Sequence, residues 1–244
     1  ITVDGNTETD AGITFGAKVR MQQDNGDTAI ATQNSFNAAQ FYVTSGGLTL
    51  RVGNIEGAID SMAGLYNGSV GLTGLGWGNV VSSFNSHDFA DKGNGSAASQ
   101  ESLEVVYSMG DYTVHVSHNG TDTEVAGSAT FSGVTVGLAT STTDVAANAE
   151  TVATLSGAVG GVTLGLAYAE TVSNLSHTTL SAGMDVGAAT SVTAYYADNE
   201  ANTTDNASYG IGMVHDLGAG TSLRGGVVSI NDQTKAEFGV LFNF

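Results

Sequence analysis

Apolar and polar residues alternate along most of this chain. In residues 13–22 the apolar side chains take the odd positions from Ile13 to Met21, and Thr, Gly, Lys, Arg and Gln take the even ones. The same period of two recurs in segments that contain Leu48, Leu103, Tyr112, Val125, Val134, Val162, Leu180, Val192, Tyr209 and Ala236. A period of two predicts β-strands with one apolar and one polar face. We count about fourteen such strands, plus a stub at residues 1–4.

The predicted connections alternate between tight and long. Gly46-Gly47, Gly110-Asp111, Ser132-Gly133 and Gly160-Gly161 are pairs typical of two-residue hairpin turns, which need positive φ. Longer polar connections lie between them, at residues 24–34, 118–124, 140–149 and 198–206. Strands of about 9–11 residues in this rhythm are expected of an antiparallel barrel that crosses a membrane.

Alternation alone does not separate a membrane barrel from a soluble sandwich, because both have a period of two. The chain of 244 residues contains no proline, against an average usage of about 5%. Proline is confined to edges and bulges of sheets, so its absence favours a closed ladder without edges. Open sheets rarely exceed about ten strands. We therefore predict an all-β fold, a transmembrane antiparallel β-barrel, as a single domain over residues 1–244.

The rhythm stops at residues 54–100, after the strand that ends near Asn54. This segment holds the only tryptophan, Trp77, and several other large apolar residues, so its composition does not suit pure disorder. A stretch of this length without alternation is usually functional. It either folds inward and narrows the lumen or forms an extracellular flap.

The charge balance sharpens this picture. The formal net charge is −18, from 24 acids and 6 bases. Of the six cations, Lys18, Arg20 and Arg51 occupy the polar face of neighbouring early strands. In a barrel they point into water, whereas a cation on the lipid face costs about 2–4 kcal/mol. They either oppose acids of the long loop across the lumen or form local pairs with lumen acids.

Other kinds of function find no support in the sequence. There is no basic stripe for nucleic acid, no cysteine for a disulfide scaffold and no nucleophile elbow. His115 and His118 differ by three positions and lie on opposite faces of a strand, so they do not share one metal ion. We predict that the protein is not an enzyme and requires no cofactor.

Four segments resemble the alphaproteobacterial general porins of the Gram-negative outer membrane. They are residues 5–22, residues 37–41 (Asn-Ala-Ala-Gln-Phe), residues 52–61 (Val-Gly-Asn-Ile-Glu-Gly-Ala-Ile-Asp-Ser) and the ending Glu-Phe-Gly-Val-Leu-Phe-Asn-Phe at residues 237–244. The resemblance implies a sixteen-stranded homotrimeric barrel in which the long loop folds inward. The function that it implies is passive diffusion of ions and small hydrophilic solutes through a water-filled channel.

Site residues follow from the same resemblance. Glu56 and Asp60 match the acids of the constriction loop, and Lys18, Arg20 and Arg51 match positions on the basic wall. Some members of this family bind Ca²⁺ at loop acids, and Asp88 and Asp91 are the candidates here.

The chain ends and the loop acids carry further expectations. A full strand and most of another precede the Gly5 turn in the family, so we expect about 30–40 further N-terminal residues in the mature polypeptide. A terminal Phe244 resembles the signal that outer-membrane assembly reads. The acidic loops suit a rim that faces lipopolysaccharide through divalent ions, and they predict a mild cation preference. The alternative is a secreted, acidic β-rich adhesin that binds calcium or sugar, although the repeat typical of a calcium-binding solenoid is absent.

Overall fold

A computed structural model describes residues 1–22, 35–36, 38–66, 70–71, 75, 102–120, 122–143 and 149–243 of the chain. The strands in these ranges are β1 (Thr2–Glu8), β2 (Thr14–Gln22), β3 (Ser35–Phe36), β4 (Gln40–Ser45), β5 (Leu48–Gly53), β6 (Leu103–Met109), β7 (Tyr112–His118), β8 (Asp122–Phe131), β9 (Val134–Thr143), β10 (Glu150–Val159), β11 (Val162–Glu170), β12 (Ser176–Gly187), β13 (Thr190–Asn199), β14 (Ala207–Gly218), β15 (Thr221–Ile230) and β16 (Gln233–Phe242). Within the described ranges no helix is long and apolar enough to span a membrane.

Each strand pairs with its neighbour in the chain. The sheet runs in sequence order from β1 to β16, with β3 paired to β2 beside the main path. The registers from β1 to β7 and from β10 to β16 are antiparallel. This hairpin topology is the predicted meander, and it does not suit a solenoid of parallel coils.

Tight turns connect the strands at one end of the ladder. The four predicted pairs all form turns, and the glycines of Gly46-Gly47 have φ of 56° and 85°. The predicted loop at 118–124 is shorter than expected, because β7 extends to His118 and β8 begins at Asp122. The Asn119 side-chain oxygen accepts a 2.7 Å hydrogen bond from the Asp122 amide, which closes the connection within three residues.

The first hairpin also differs from the expectation. The ladder continues through Gly5 to the pair Glu8–Thr14, so the turn lies at residues 9–13 and β1 is longer than a four-residue stub. Gly5 does not end the strand, because a glycine keeps its backbone donor and acceptor and can pair like any other strand residue. The strands β10 and β15 are not among the segments named above for their period of two, because small residues occupy several of their apolar-face positions, among them Gly157 and Gly225.

The two faces of the sheet differ sharply. On the apolar face, large side chains are exposed: Phe238 is 70% exposed, Val159 65% and Leu138 63%. The polar face instead holds the buried residues, among them Glu104, Ser117, Glu124 and Thr154. The face that a water-soluble sandwich would bury is therefore the exposed one, which is the arrangement expected where lipid replaces water.

The described contacts group into two compact units. The first comprises residues 1–61, 86–127 and 139–147, and the second comprises residues 62–85, 128–138 and 148–244. The first unit holds β1–β7 with residues 54–61 of the long loop, and the second holds β10–β16 with the described loop residues 62–66, 70–71 and 75.

Candidate functional site

Charged side chains form rows across the polar face of the first unit. Asp4, Lys18 and Gln40 lie opposite one another on β1, β2 and β4. Residues that are directly opposite in an antiparallel pair place their side chains on the same face. Arg20 follows Lys18 by two positions and shares that face. The structure therefore brings Lys18 and Arg20 together on one wall.

Arg51 belongs to a second row, Tyr42–Arg51–Glu104–Ser117, which crosses β4 to β7. Its guanidinium lies 2.5 Å from Glu104, a carboxylate that is only 3% exposed and that also contacts the His115 ring at 3.0 Å. This is the local pairing with a lumen acid that the sequence left open for Arg51. Since Leu103 and Val105 are on the apolar face, the alternation that places Arg51 on the polar face also places Glu104 there.

Tyr42 links the two rows. Its hydroxyl donates a 2.9 Å hydrogen bond to the Asp4 carboxylate, two strands away. To reach it, the ring crosses over Gly16, where a Cβ atom would overlap the ring. Glycine is therefore required at position 16 by the packing of Tyr42.

The beginning of the long loop is attached to the polar face of the first unit. The amide of Ala58 donates to Ser117 Oγ at 2.9 Å, and the amide of Ile59 donates to Glu124 Oε2 at 2.8 Å. Ser117 Oγ itself donates to the same carboxylate oxygen at 3.2 Å. Because Ile55, Ala58 and Ile59 are at most 1% exposed, the loop backbone is held against the wall and away from solvent.

Glu56 and Asp60 alternate with those buried residues and remain partly exposed. That they face Lys18 and Arg20 stays a prediction. Ser117 and Glu124, which sequence reasoning did not single out, are the residues that hold this segment.

In the second unit, later loop residues lie on the polar face as well. Thr154 Oγ1 donates a 2.7 Å hydrogen bond to the carbonyl of Ala63. Farther along, a buried apolar cluster joins two loop residues to the wall; its members are Val70, Leu75, Tyr195, Ala197 and Val228. The inward fold of the loop is thus supported by contacts within each unit.

Glycines on β14 and β15 receive the loop backbone. A Cβ atom on Gly212 would lie 2.8 Å from Val70 Cβ, and one on Gly226 would lie 3.2 Å from the Gly71 amide nitrogen. The first distance is shorter than Cβ atoms adopt, and the second is tighter than most Cβ contacts, so glycine at these two positions makes room for residues 70–71.

The candidate calcium ligands Asp88 and Asp91 lie outside the described residues. Within the described ranges, no group of three or more His, Asp or Glu side chains is placed to hold a metal ion. Calcium binding stays a prediction.

Comparison with known proteins places the chain in a family. A sequence profile described as Gram-negative porin matches residues 1–235. A porin from Fuscovulum blasticum is 32% identical over 260 residues, which cover 100% of this chain and 89% of that protein.

Two solved variants of the Rhodopseudomonas blastica porin are similar in structure, and each match covers 100% of this chain and 89% of the other. One, in which an aspartate and a glutamate are replaced by alanine, is 28% identical with a TM-score of 0.84. The other, in which a lysine and an arginine are replaced by alanine, is 27% identical with a TM-score of 0.85. The strand order described above is therefore that of a porin β-barrel, and the chain belongs to the Gram-negative porin family, whose members are channels of the bacterial outer membrane.

Proposed function

We propose that this chain forms a water-filled channel through which ions and small hydrophilic solutes diffuse passively, and that residues 54–100 narrow it. The observation that carries the proposal is the attachment of the loop to the polar face, where the amides of Ala58 and Ile59 donate to Ser117 and Glu124. A loop held on the polar face of a membrane barrel occupies the lumen, because the apolar face meets lipid.

The proposed constriction sets acids against bases. Glu56 and Asp60 are its acidic side, and Lys18 and Arg20 are the basic side, with Arg51 partly neutralised by Glu104. A pair of unit charges about 10 Å apart interacts by about 0.4 kcal/mol in water and by less than 2 kcal/mol at an effective dielectric of 20. Such a field orients a dipolar solute without trapping it, as rapid diffusion requires.

The partners of the outer surface follow from its chemistry. We infer that the apolar face is covered by bilayer lipid and by neighbouring subunits of a homotrimer, since side chains such as Phe238 are exposed in the single chain. The acidic loops are suited to a lipopolysaccharide leaflet, because divalent ions can bridge their carboxylates to the lipid phosphates. Transport in this proposal is diffusion alone, without a catalytic step or a required cofactor.

The test is conductance in a planar bilayer containing the purified chain. We expect stable open channels. Their conductance should fall when neutral solutes small enough to enter the pore are added, and should stay at its original value when the added solutes are too large to enter. Asp60→Asn is expected to alter conductance or ion selectivity. Absence of channels would contradict the proposed function, whereas channels unaffected by Asp60→Asn would remove only this residue from the constriction.

A further inference from the structure

A groove crosses the apolar face of the second unit. Its volume is about 630 Å³, and its large side chains come from β10 to β13: Leu155, Leu164, Leu180 and Tyr196. No charged side chain is among the described residues that line it. A methylene group is similar in size to a water molecule, which occupies about 30 Å³ of the liquid, so the groove has room for about twenty methylene groups. That is enough for one whole acyl chain.

Small residues form the floor of this groove. Ala182 of β12 lies opposite Ala194 of β13, and two positions along the same strands Leu180 lies opposite Tyr196. Side chains two positions apart share a face of a strand, so the pair of alanines lies beside a wall of two large side chains. A hydrocarbon chain on this floor contacts protein both beneath it and at its side, which gives it more dispersion contacts than a flat surface does.

A polar pair lies on the same face at the short-turn end of these strands. Thr190 of β13 and His215 of β14 are opposite in the register, and Thr190 Oγ1 lies 2.7 Å from His215 Nδ1. When the hydroxyl donates to Nδ1, the neutral ring carries its proton on Nε2, and a protonated ring carries one there as well. The neighbouring Asp216 belongs to the other face of β14, and its carboxylate accepts a 2.8 Å hydrogen bond from the Gly218 amide. The ring is therefore suited to donate an N–H to an acidic group that approaches the apolar face.

The distance between the polar pair and the far end of the groove matches one leaflet of a bilayer. Thr190 and Tyr196 lie on the same face of β13, about 20 Å apart along the strand. A strand tilted by about 40° converts this length into about 15 Å of depth, which is half of a hydrocarbon thickness of about 30 Å. Short turns of outer-membrane barrels lie on the periplasmic side, where the leaflet consists of phospholipids. Both ends of a phospholipid therefore find a matching surface here.

We propose that these residues form a binding site for one phospholipid of the periplasmic leaflet. Its phosphate accepts the N–H of His215 beside Thr190, and one of its acyl chains lies in the groove over Ala182 and Ala194. Lipid tails are as apolar as the groove, so the preference over bulk lipid comes from close packing and from the phosphate contact. This inference rests on the proposed covering of the apolar face by lipid, and it names the class of lipid and its position.

Native mass spectrometry of the assembled full chain in alkyl maltoside tests this site. Dipalmitoyl phosphatidylglycerol is the probe, and the measured quantity is the fraction of chains that carry one lipid at each lipid concentration. We expect the first lipid per chain to saturate before further lipids bind. Dipalmitoylglycerol has the same acyl chains but no phosphate, and we expect it to bind about fivefold more weakly, the size of one hydrogen bond to a charged group at an exposed site.

Matched variants separate the groove from the rest of the apolar face. Ala194→Leu fills the floor and is expected to weaken binding of both lipids at least fivefold. Ala153→Leu adds the same side chain two positions before Leu155, on the same face of β10 but outside the lining of the groove, and should change binding less than twofold. His215→Leu removes the N–H, so we expect about fivefold weaker binding of phosphatidylglycerol and less than a twofold change for dipalmitoylglycerol. If Ala194→Leu does not assemble, Ala182→Leu replaces it in the comparison.

The outcomes are distinct. Equal losses in Ala194→Leu and Ala153→Leu, or lipid counts that rise without a saturable first lipid, would overturn the site. Unchanged phosphatidylglycerol binding in His215→Leu would overturn the assignment to a phospholipid, and an altered oligomer mass in Ala194→Leu would assign the groove to a contact between subunits. All variants should conduct like the unmodified chain in planar bilayers, because the substituted residues lie outside the lumen. Failure of the unmodified chain to form any channel would count against the proposed function and not against this site.

Discussion

Replacement of Glu124 tests how the loop is held in the lumen. This carboxylate is 1% exposed and accepts hydrogen bonds from the Ile59 amide at 2.8 Å and from Ser117 Oγ at 3.2 Å. Glu124→Ala leaves the Ile59 amide buried without this acceptor. Glu124→Gln keeps an acceptor oxygen of the same shape but removes the charge.

The size of the effect follows from these contacts. A hydrogen bond to a charged group contributes about 1.5–3 kcal/mol, and a buried donor without a partner costs about 1–3 kcal/mol. We therefore expect Glu124→Ala to weaken attachment of residues 58–59 by about 2–4 kcal/mol, which raises the detached population about 30- to 700-fold. Glu124→Gln, which exchanges a charged bond for a neutral one, should cost about 1 kcal/mol, or about fivefold.

Single-channel recording is the assay, because a loop that leaves the wall changes the width of the pore. The expected result is more frequent steps away from the main conductance level, in the order Glu124→Ala, then Glu124→Gln, then the unmodified chain. Glu8→Ala, which removes an exposed carboxylate at the end of β1, is the control and should behave like the unmodified chain. Identical main conductance and step frequency in an assembled Glu124→Ala channel would refute the anchoring role of this residue.

Three further predictions concern other contacts of the wall and loops. Gly212→Val should displace the loop at residues 70–71 and change single-channel conductance, whereas Gly187→Ala, where a Cβ meets no atom within 4 Å, should not. Arg51→Gln leaves the buried carboxylate of Glu104 with His115 but without the guanidinium, so we expect about 1–3 kcal/mol lower stability in urea unfolding and reversal potentials shifted toward cation selectivity. Unchanged selectivity would contradict the inward orientation of Arg51. Glu200 accepts a 2.7 Å hydrogen bond from the Ser176 amide, which lowers the pKa of this carboxyl below its usual 4.5; its stabilising effect is present above that value and is lost as the pH falls through the lowered pKa. The protection factor of the Ser176 amide, which compares its hydrogen exchange with the intrinsic rate at the same pH, should fall over that acidic range; the same fall in Glu200→Gln would show another group to be responsible.

Much of the fold could be predicted from the sequence, because the residues of a strand alternate between its two faces, and each face has its own polarity. Alternation around Phe15, Val105 and Ile211 predicted which side chains lie on the apolar face. Glycine pairs such as Gly46-Gly47 predicted the tight turns. The residues at which strands begin and end were harder to predict. The turn at Asn119 and Asp122 is shortened by side-chain bonds, and no periodic pattern encodes such bonds.

The residues of the candidate site could likewise be predicted only in part from the sequence. Alternation alone assigned Lys18, Arg20 and Arg51 to the polar face, because the side-chain period of a strand is two. That Arg51 pairs with Glu104 depends on the register between β5 and β6, which joins residues 53 positions apart.

What the sequence by itself determined is the class of fold, the face that each strand presents and the presence of one long, non-alternating segment. Each of these is a local property, set by the identity and spacing of nearby residues. Only the tertiary structure decided where that segment goes, because its anchors Ser117, Glu124 and Thr154 are polar residues like many others until folding places them under Ala58, Ile59 and Ala63. Those contacts span 59 to 91 positions along the chain, and a separation of that length leaves no signature in local sequence.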